Sequence, residues 1–124
     1  MPVGYLDKIK PNDDIISVFC EKNDIIGLHV FELCGEESDF TASCRNFAPL
    51  VGIAEESATG SSCGALACYL SEYLTLGSEF IFEQGRAMNC CSRITASVHF
   101  NESQISDVKV GGFTRNIGIV TINL

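Results

Sequence analysis

With 124 residues, 46% hydrophobic and 19% charged, the chain is long enough for one domain with a buried core and too apolar for intrinsic disorder. Eight lysines and arginines against sixteen aspartates and glutamates give a net charge of −8 with no basic cluster, which argues against nucleic acid or an anionic membrane as partner. No apolar run approaches membrane-spanning length, and the first residues lack a basic stretch followed by an apolar one, so a cytoplasmic protein is expected.

In chain order, Val3–Leu6 reads as the end of a strand. Asn12 then caps a short helix: Asp13 and Asp14 suit its first turn, and Ile15, Ile16 and Phe19 form one apolar face. Ile25–Leu33 is rich in β-branched and aromatic residues and predicts a strand, followed by a turn at Gly35–Ser38. Asp39–Phe47 predicts a second strand, with Phe40, Ala42, Cys44 and Asn46 on one face and Thr41, Ser43, Arg45 and Phe47 on the other. Leu50–Ser61 is read as a loop feeding a helix over about 61–76, where Cys63, Leu66, Ala67, Leu70 and Leu74 form a helical stripe and Gly77 is a natural stop. Leu66, Ala67 and Leu70 should be nearly inaccessible. The rest reads as β: Glu79–Gln84, Arg93–Phe100, Ile105–Val110 and Ile117–Ile122, with Gly111-Gly112 as a turn. About seven strands and one long helix predict an α+β domain whose curved, mostly antiparallel sheet wraps the helix.

The seven cysteines (Cys20, Cys34, Cys44, Cys63, Cys68, Cys90 and Cys91) contain no CxxC pair, and His29 and His99 lie far from any close cysteine pair. Neither a metal site nor another cofactor is expected, and Cys90-Cys91 should remain two thiols. By alternation, His29 and His99 point away from their apolar neighbours to the outer face of their strands. Cys63 falls on the helical stripe and reads as core, although a thiolate there would be favoured by the helix dipole.

The chemistry-bearing segment is Glu55-Glu56-Ser57-Ala58-Thr59-Gly60-Ser61-Ser62, which places small residues and unpaired N–H groups at a helix start. Such a start holds anions, Gly60 permits close approach, Ser61 and Ser62 add hydroxyls, and an adjacent carboxylate can hold or exchange a proton. The plainer reading has Thr59 or Ser61 capping the helix while Glu55 and Glu56 complement its dipole. Arg45 suits either a substrate carboxylate or an ion pair with Glu55 or Glu56.

The run from Arg45 to Leu70, with Phe47-Ala48-Pro49, Gly52-Ile53, Glu55-Glu56 and Ala58-Thr59-Gly60-Ser61, resembles the phenazine-biosynthesis PhzF-like family. Gln84-Gly85, the stretch from Met88 to Ile94, Val110-Gly111-Gly112 and the opening Pro2–Pro11 extend the resemblance over nearly the whole chain, residues 1–124. It covers the second half of a two-domain protein similar to diaminopimelate epimerase. The family's first half carries a catalytic glutamate and a Gly-Asn-Pro motif that have no counterpart here. The resemblance implies a diaminopimelate-epimerase-like fold and a cofactor-independent isomerase acting on a small carboxylate-bearing metabolite. It implies Glu56 as the acidic residue and Thr59, Gly60 and Ser61, with Ser62 and Arg45 beside them, as substrate-binding. Glu56 stands where the family has Asp, Ser57 where it has Pro, and Cys90-Cys91 where it has Arg-Pro. The site is expected to need a second domain or chain: either a separate N-terminal half, or a homodimer in which two copies of Glu56 and of the Thr59-Gly60-Ser61 turn face one cleft. The alternative is a non-catalytic half-domain that binds small acids or serves assembly.

Overall fold

The computed structural model describes residues 1–114 and 116–122. Its organising element is strand β2, Ala42–Ala48, buried along its whole length. Alternation sends Ala42 and Cys44 into the main core, while Arg45 on the opposite face reaches the carbonyls of Leu6 and Ile9 in the N-terminal segment. A strand covered on both faces has no polar side to show, which is why its sequence mixes cysteine, serine, arginine and asparagine without a simple pattern.

Strand β1, Leu28–Leu33, pairs antiparallel with one edge of β2. Two strands share the other edge. Strand β3, Ile53–Glu56, pairs antiparallel with its Asn46–Ala48 end, and strand β4, Glu79–Gln84, pairs parallel with Ala42–Cys44. Strands β5, Ser92–Asn101, and β6, Gln104–Gly112, complete a six-stranded sheet in the order β1-β2-β4-β5-β6, with β3 beside β2. Among the described residues only the β2–β4 pairing is parallel, because helix α2, Gly60–Tyr73, carries the chain from β3 to β4.

Helix α2 is the central helix, somewhat shorter than the sequence predicts. Leu66, Ala67 and Leu70 are 6%, 0% and 0% exposed, packed in a core with Phe80, Phe82, Ile94, Ala96 and Val98. Side chains of this kind stabilise the fold by about 1.5–3 kcal/mol each when fully buried. A Cβ on Gly64 would stand 3.1 Å from Val110 Cγ2 and 3.6 Å from Val108 Cγ1, so this glycine sets how closely the helix sits on β6.

Helix α1, Asp13–Asn23, is capped as expected: Asn12 Oδ1 accepts from the Ile15 N–H at 3.0 Å. Its expected apolar face docks only in part, however. Ile15 and Phe19 are exposed, and the helix meets the domain through half-buried Ile16 and buried Cys20. Three further expectations differ from the structure. Val3–Leu6 is a turn leading into a 3-10 helix at Leu6–Lys8, because the buried Glu32 carboxylate draws in the Gly4 and Leu6 N–H groups at 2.8 and 3.2 Å in place of a strand partner. The predicted loop after Ala48 contains a 3-10 turn at Pro49–Val51 and strand β3, because the β2 edge beyond β4 needs a partner. Ile117–Ile122 is exposed and forms no strand among the described residues. The described strands therefore number six, not seven.

Candidate functional site

Where β4 ends, its last side chain takes over the sheet's bonding. Gln84 is fully buried, and its amide donates to the Glu56 carbonyl at 2.7 Å and to Thr59 Oγ1 at 2.8 Å. Its oxygen accepts from the Thr59 N–H at 3.1 Å. These bonds fix the amide's orientation and hold the loop between β3 and α2. An amide nitrogen only donates, so the Thr59 hydroxyl must accept from Gln84 and pass its own proton on. The acceptor is Glu56 Oε2, 2.6 Å away. The chain Gln84–Thr59–Glu56 therefore has one polarity and ends on a carboxylate.

This arrangement leaves the helix start without its expected side-chain cap. Thr59 occupies the N-cap position of α2 with extended backbone (φ −129°, ψ 90°), yet its side chain caps nothing. The N–H groups of Gly60, Ser61 and Ser62 have no partner among the described residues, while the next, from Cys63, bonds the Thr59 carbonyl at 3.1 Å. They remain open to an anion with the helix dipole behind them.

The open donors border a cleft of about 400 Å³ lined by His29, Asn46, Glu56, Thr59, Ser61 and Ser62, with Ile25, Ile26, Val51 and Ile53 as apolar wall. A larger hollow of about 620 Å³ lies near the other end of α2, but its charged lining residues are Glu36, Asp39 and Glu79, which repel an anion. The backbone at Gly85 secures the cleft from behind. It adopts φ +88°, and a Cβ there would overlap the Cys90 carbonyl oxygen and come within 2.9 Å of Ser57 Cβ, so only glycine lets the loop approach.

Two of the expected binding residues are placed otherwise than the sequence suggests. Arg45 does not reach the cleft. Its side chain is 6% exposed and grips Glu55 through two 2.8 Å bonds, Nε to Oε1 and Nη2 to Oε2. Nη1 donates to the carbonyls of Leu6 and Ile9, and the Glu55 contact raises the guanidinium pKa further. Of the two roles weighed for it, the ion pair is the one built, and the partner is Glu55. Gly60 does not make room for a ligand: a Cβ there would meet Val110 Cγ1 on β6 at 3.5 Å, so what Gly60 presents to a ligand is its N–H.

His29 departs from its expected outer-face position. Nδ1 stands 3.0 Å from Asn46 Oδ1 and Nε2 stands 3.9 Å from Cys63 Sγ, on the helix side of the sheet. Alternation misled here because both faces of β1 are apolar in sequence. The helix-facing set is His29, Phe31 and Leu33, while Leu28 and Val30 share the other face with buried Glu32. His99 is exposed. Cys63 is fully buried in the core; the hydrogen bond with Cys44 lowers its pKa, burial opposes that, and His29 lowers it further, while the same pairing pushes Cys44 up. Cys90 and Cys91 are free thiols. Gln84 escaped notice as a site residue, although Phe80, Phe82 and Gln84 alternate onto one face and carry a polar residue to the end of an apolar row.

The family model for phenazine biosynthesis-like proteins (PhzC-PhzF) matches residues 3–116. The chain belongs to this family. Among curated relatives, it is 32% identical over 112 residues to an uncharacterized isomerase of Clostridium acetobutylicum, covering 86% of this chain and 37% of that protein. It is 28% identical over 109 residues to an uncharacterized isomerase of Schizosaccharomyces pombe, covering 84% of this chain and 58% of the relative. The crystal structure of a Bacillus anthracis phenazine biosynthesis protein of the PhzF family superposes with a TM-score of 0.73 at 20% identity, over 86% of this chain and 38% of that one. The chain thus spans between about a third and three-fifths of the length of these proteins. The fold is the α+β, diaminopimelate-epimerase-like fold of the family.

Proposed function

We propose that this domain is the carboxylate-binding half of a PhzF-like isomerase, acting without a cofactor on a small carboxylate-bearing metabolite. The substrate carboxylate sits on the N–H groups of Gly60, Ser61 and Ser62, with the Ser61 and Ser62 hydroxyls at its rim. Glu56, fixed through Thr59, faces the reacting carbons and takes or steers the proton. The observation that carries this reading is the Thr59 hydroxyl: it leaves the helix uncapped and is committed to Glu56. The apolar wall supports a substrate that is itself mostly hydrocarbon, since a low-dielectric surround strengthens both the anion contact and the proton transfer. The same reading has the site completed by a second domain or chain, a separate N-terminal half or a second copy of this one. Exposed Tyr69 and Tyr73, on α2 beyond its open start, favour such an association.

Replacing Gly60 with Pro tests the anion site. Proline is tolerated at the first helical position, and the preceding Thr59 already has the extended backbone proline requires. The substitution removes one donor and keeps the helix. Benzoate binding, followed by the amide shifts of Ser61 and Ser62, should weaken about tenfold or more. Unchanged binding would remove the helix start from the mechanism. Sedimentation showing a monomer at micromolar concentration would remove the homodimer and leave the separate half.

A further inference from the structure

We propose that His29 is the second proton-carrying side chain of this cleft, the acid opposite Glu56, with Asn46 fixing which of its ring nitrogens exchanges the proton. The inference rests on the preceding reading that the cleft takes a small carboxylate, and supplies from this chain a proton donor that reading leaves to another.

The placement follows from register. His29 on β1 lies directly opposite Asn46 on β2, and Asn46 lies directly opposite Glu56 on β3. Residues paired across neighbouring strands point to one face, so the three form a row across the sheet with Asn46 in the middle. At roughly 4.8 Å per strand, the outer two are separated by about 10 Å at the backbone, room for a ligand a few atoms wide between their tips. Among the cleft-lining residues, His29 and Glu56 are the ionisable pair. The nearest arginine in sequence, Arg45, lies on the opposite face and is held by Glu55.

Asn46 is buried and presents its oxygen to Nδ1 at 3.0 Å. A carbonyl oxygen only accepts, so Nδ1 carries a hydrogen whether the ring is neutral or charged. The proton that comes and goes is therefore the one on Nε2. Its partner is the Cys63 thiol at 3.9 Å, a long contact, and that thiol also donates to Gln84 Oε1 at 3.8 Å, so Nε2 is held far more loosely than Nδ1. The titratable groups around the ring are Glu56 from β3 and Cys63 and Tyr69 from α2, whereas its β2 neighbour, Asn46, carries no charge.

The step balances within the chain. His29 begins as imidazolium and Glu56 as carboxylate. Glu56 takes a proton from one substrate carbon, the C–H electron pair moves into the system conjugated with the substrate carboxylate, and a new C–H bond forms at the far carbon with the Nε2 proton. Glu56 ends protonated and His29 neutral, and transfer of that proton back to His29 through solvent restores the start.

The test uses the full chain with 15N-labelled histidine and benzoate, a carboxylate that cannot isomerise. Long-range 1H–15N spectra without ligand should show the neutral His29 ring with its hydrogen on Nδ1, exposed His99 serving as the internal reference. Asn46→Leu removes the acceptor, so the neutral ring should lose its preference for Nδ1. His29→Gln, which keeps the bulk and removes the exchangeable proton, should weaken benzoate binding about tenfold. A neutral ring with its hydrogen on Nε2, or benzoate binding unchanged in His29→Gln, would overturn the proposal. If benzoate moves none of the Gly60, Ser61 and Ser62 amides, the carboxylate site itself fails, and the ligand-free tautomer still decides His29 independently.

Discussion

Glu55 and Glu56 are sequence neighbours on one short strand, and the structure puts them to opposite uses. Glu55 turns to the face where Arg45 closes on it with two parallel bonds and the N-terminal segment covers both. Glu56 turns to the face where Thr59 supports one oxygen and a cleft opens beside it. The difference comes from strand alternation alone: one residue's step carries a carboxylate from a sealed ion pair to an open site. Charge on the closed face holds the sheet to its N-terminal cover, and charge on the open face is available to a ligand. The two faces should therefore respond differently to substitution, the first in stability and the second in binding.

The largest stability effect is expected on the closed face. Arg45→Met leaves half-buried Glu55 and the Leu6 and Ile9 carbonyls without their partner and should cost about 3 kcal/mol by urea denaturation, while the double variant with Glu55→Leu recovers the part that comes from the unpaired carboxylate. Benzoate binding per folded molecule should stay unchanged in that double variant; a loss there would mean the two faces are coupled. Gln84→Leu comes next. It strands the Glu56 carbonyl and the Thr59 N–H, should destabilise by about 2–3 kcal/mol, and should also abolish benzoate binding because the loop loses its anchor.

Thr59→Val separates the two readouts further. It removes only the hydroxyl between Gln84 and Glu56, at about 1–2 kcal/mol. If Glu56 orientation matters, proton transfer should fall well beyond that stability loss, measured as solvent-deuterium incorporation into a turned-over carboxylate; an effect confined to stability would reduce Thr59 to a structural link. The smallest effect is chemical. The Cys91 thiol pKa is raised by partial burial and by its 3.4 Å bond to Glu83, so iodoacetamide at pH 8 should modify adjacent Cys90 several-fold faster. Glu83→Gln should narrow that gap, and mass spectrometry of the two positions reads it.

Much of the fold was legible because it rests on local pattern. The stripe of Cys63, Leu66, Ala67 and Leu70 predicted a buried helix, and period-two runs predicted β1, β2, β4, β5 and β6 close to where they stand. Strand β3 was hidden because its four residues earn their conformation only from the exposed edge of β2. The inward turn of His29 was hidden because β1 is apolar on both faces, so alternation could not say which face meets the helix.

By itself, the sequence determined that a helix begins at a stretch of small residues beside two carboxylates, and that Arg45 stood within reach of them. Only the tertiary structure decided what each group does. Glu55 takes Arg45 because both point to the covered face of β2–β3, and Thr59 gives up its capping role because a buried amide 25 residues away, at the end of β4, leaves its hydroxyl a single direction in which to donate. Hydrogen-bond polarity and strand face are settled by partners distant in sequence, and no local pattern carries them.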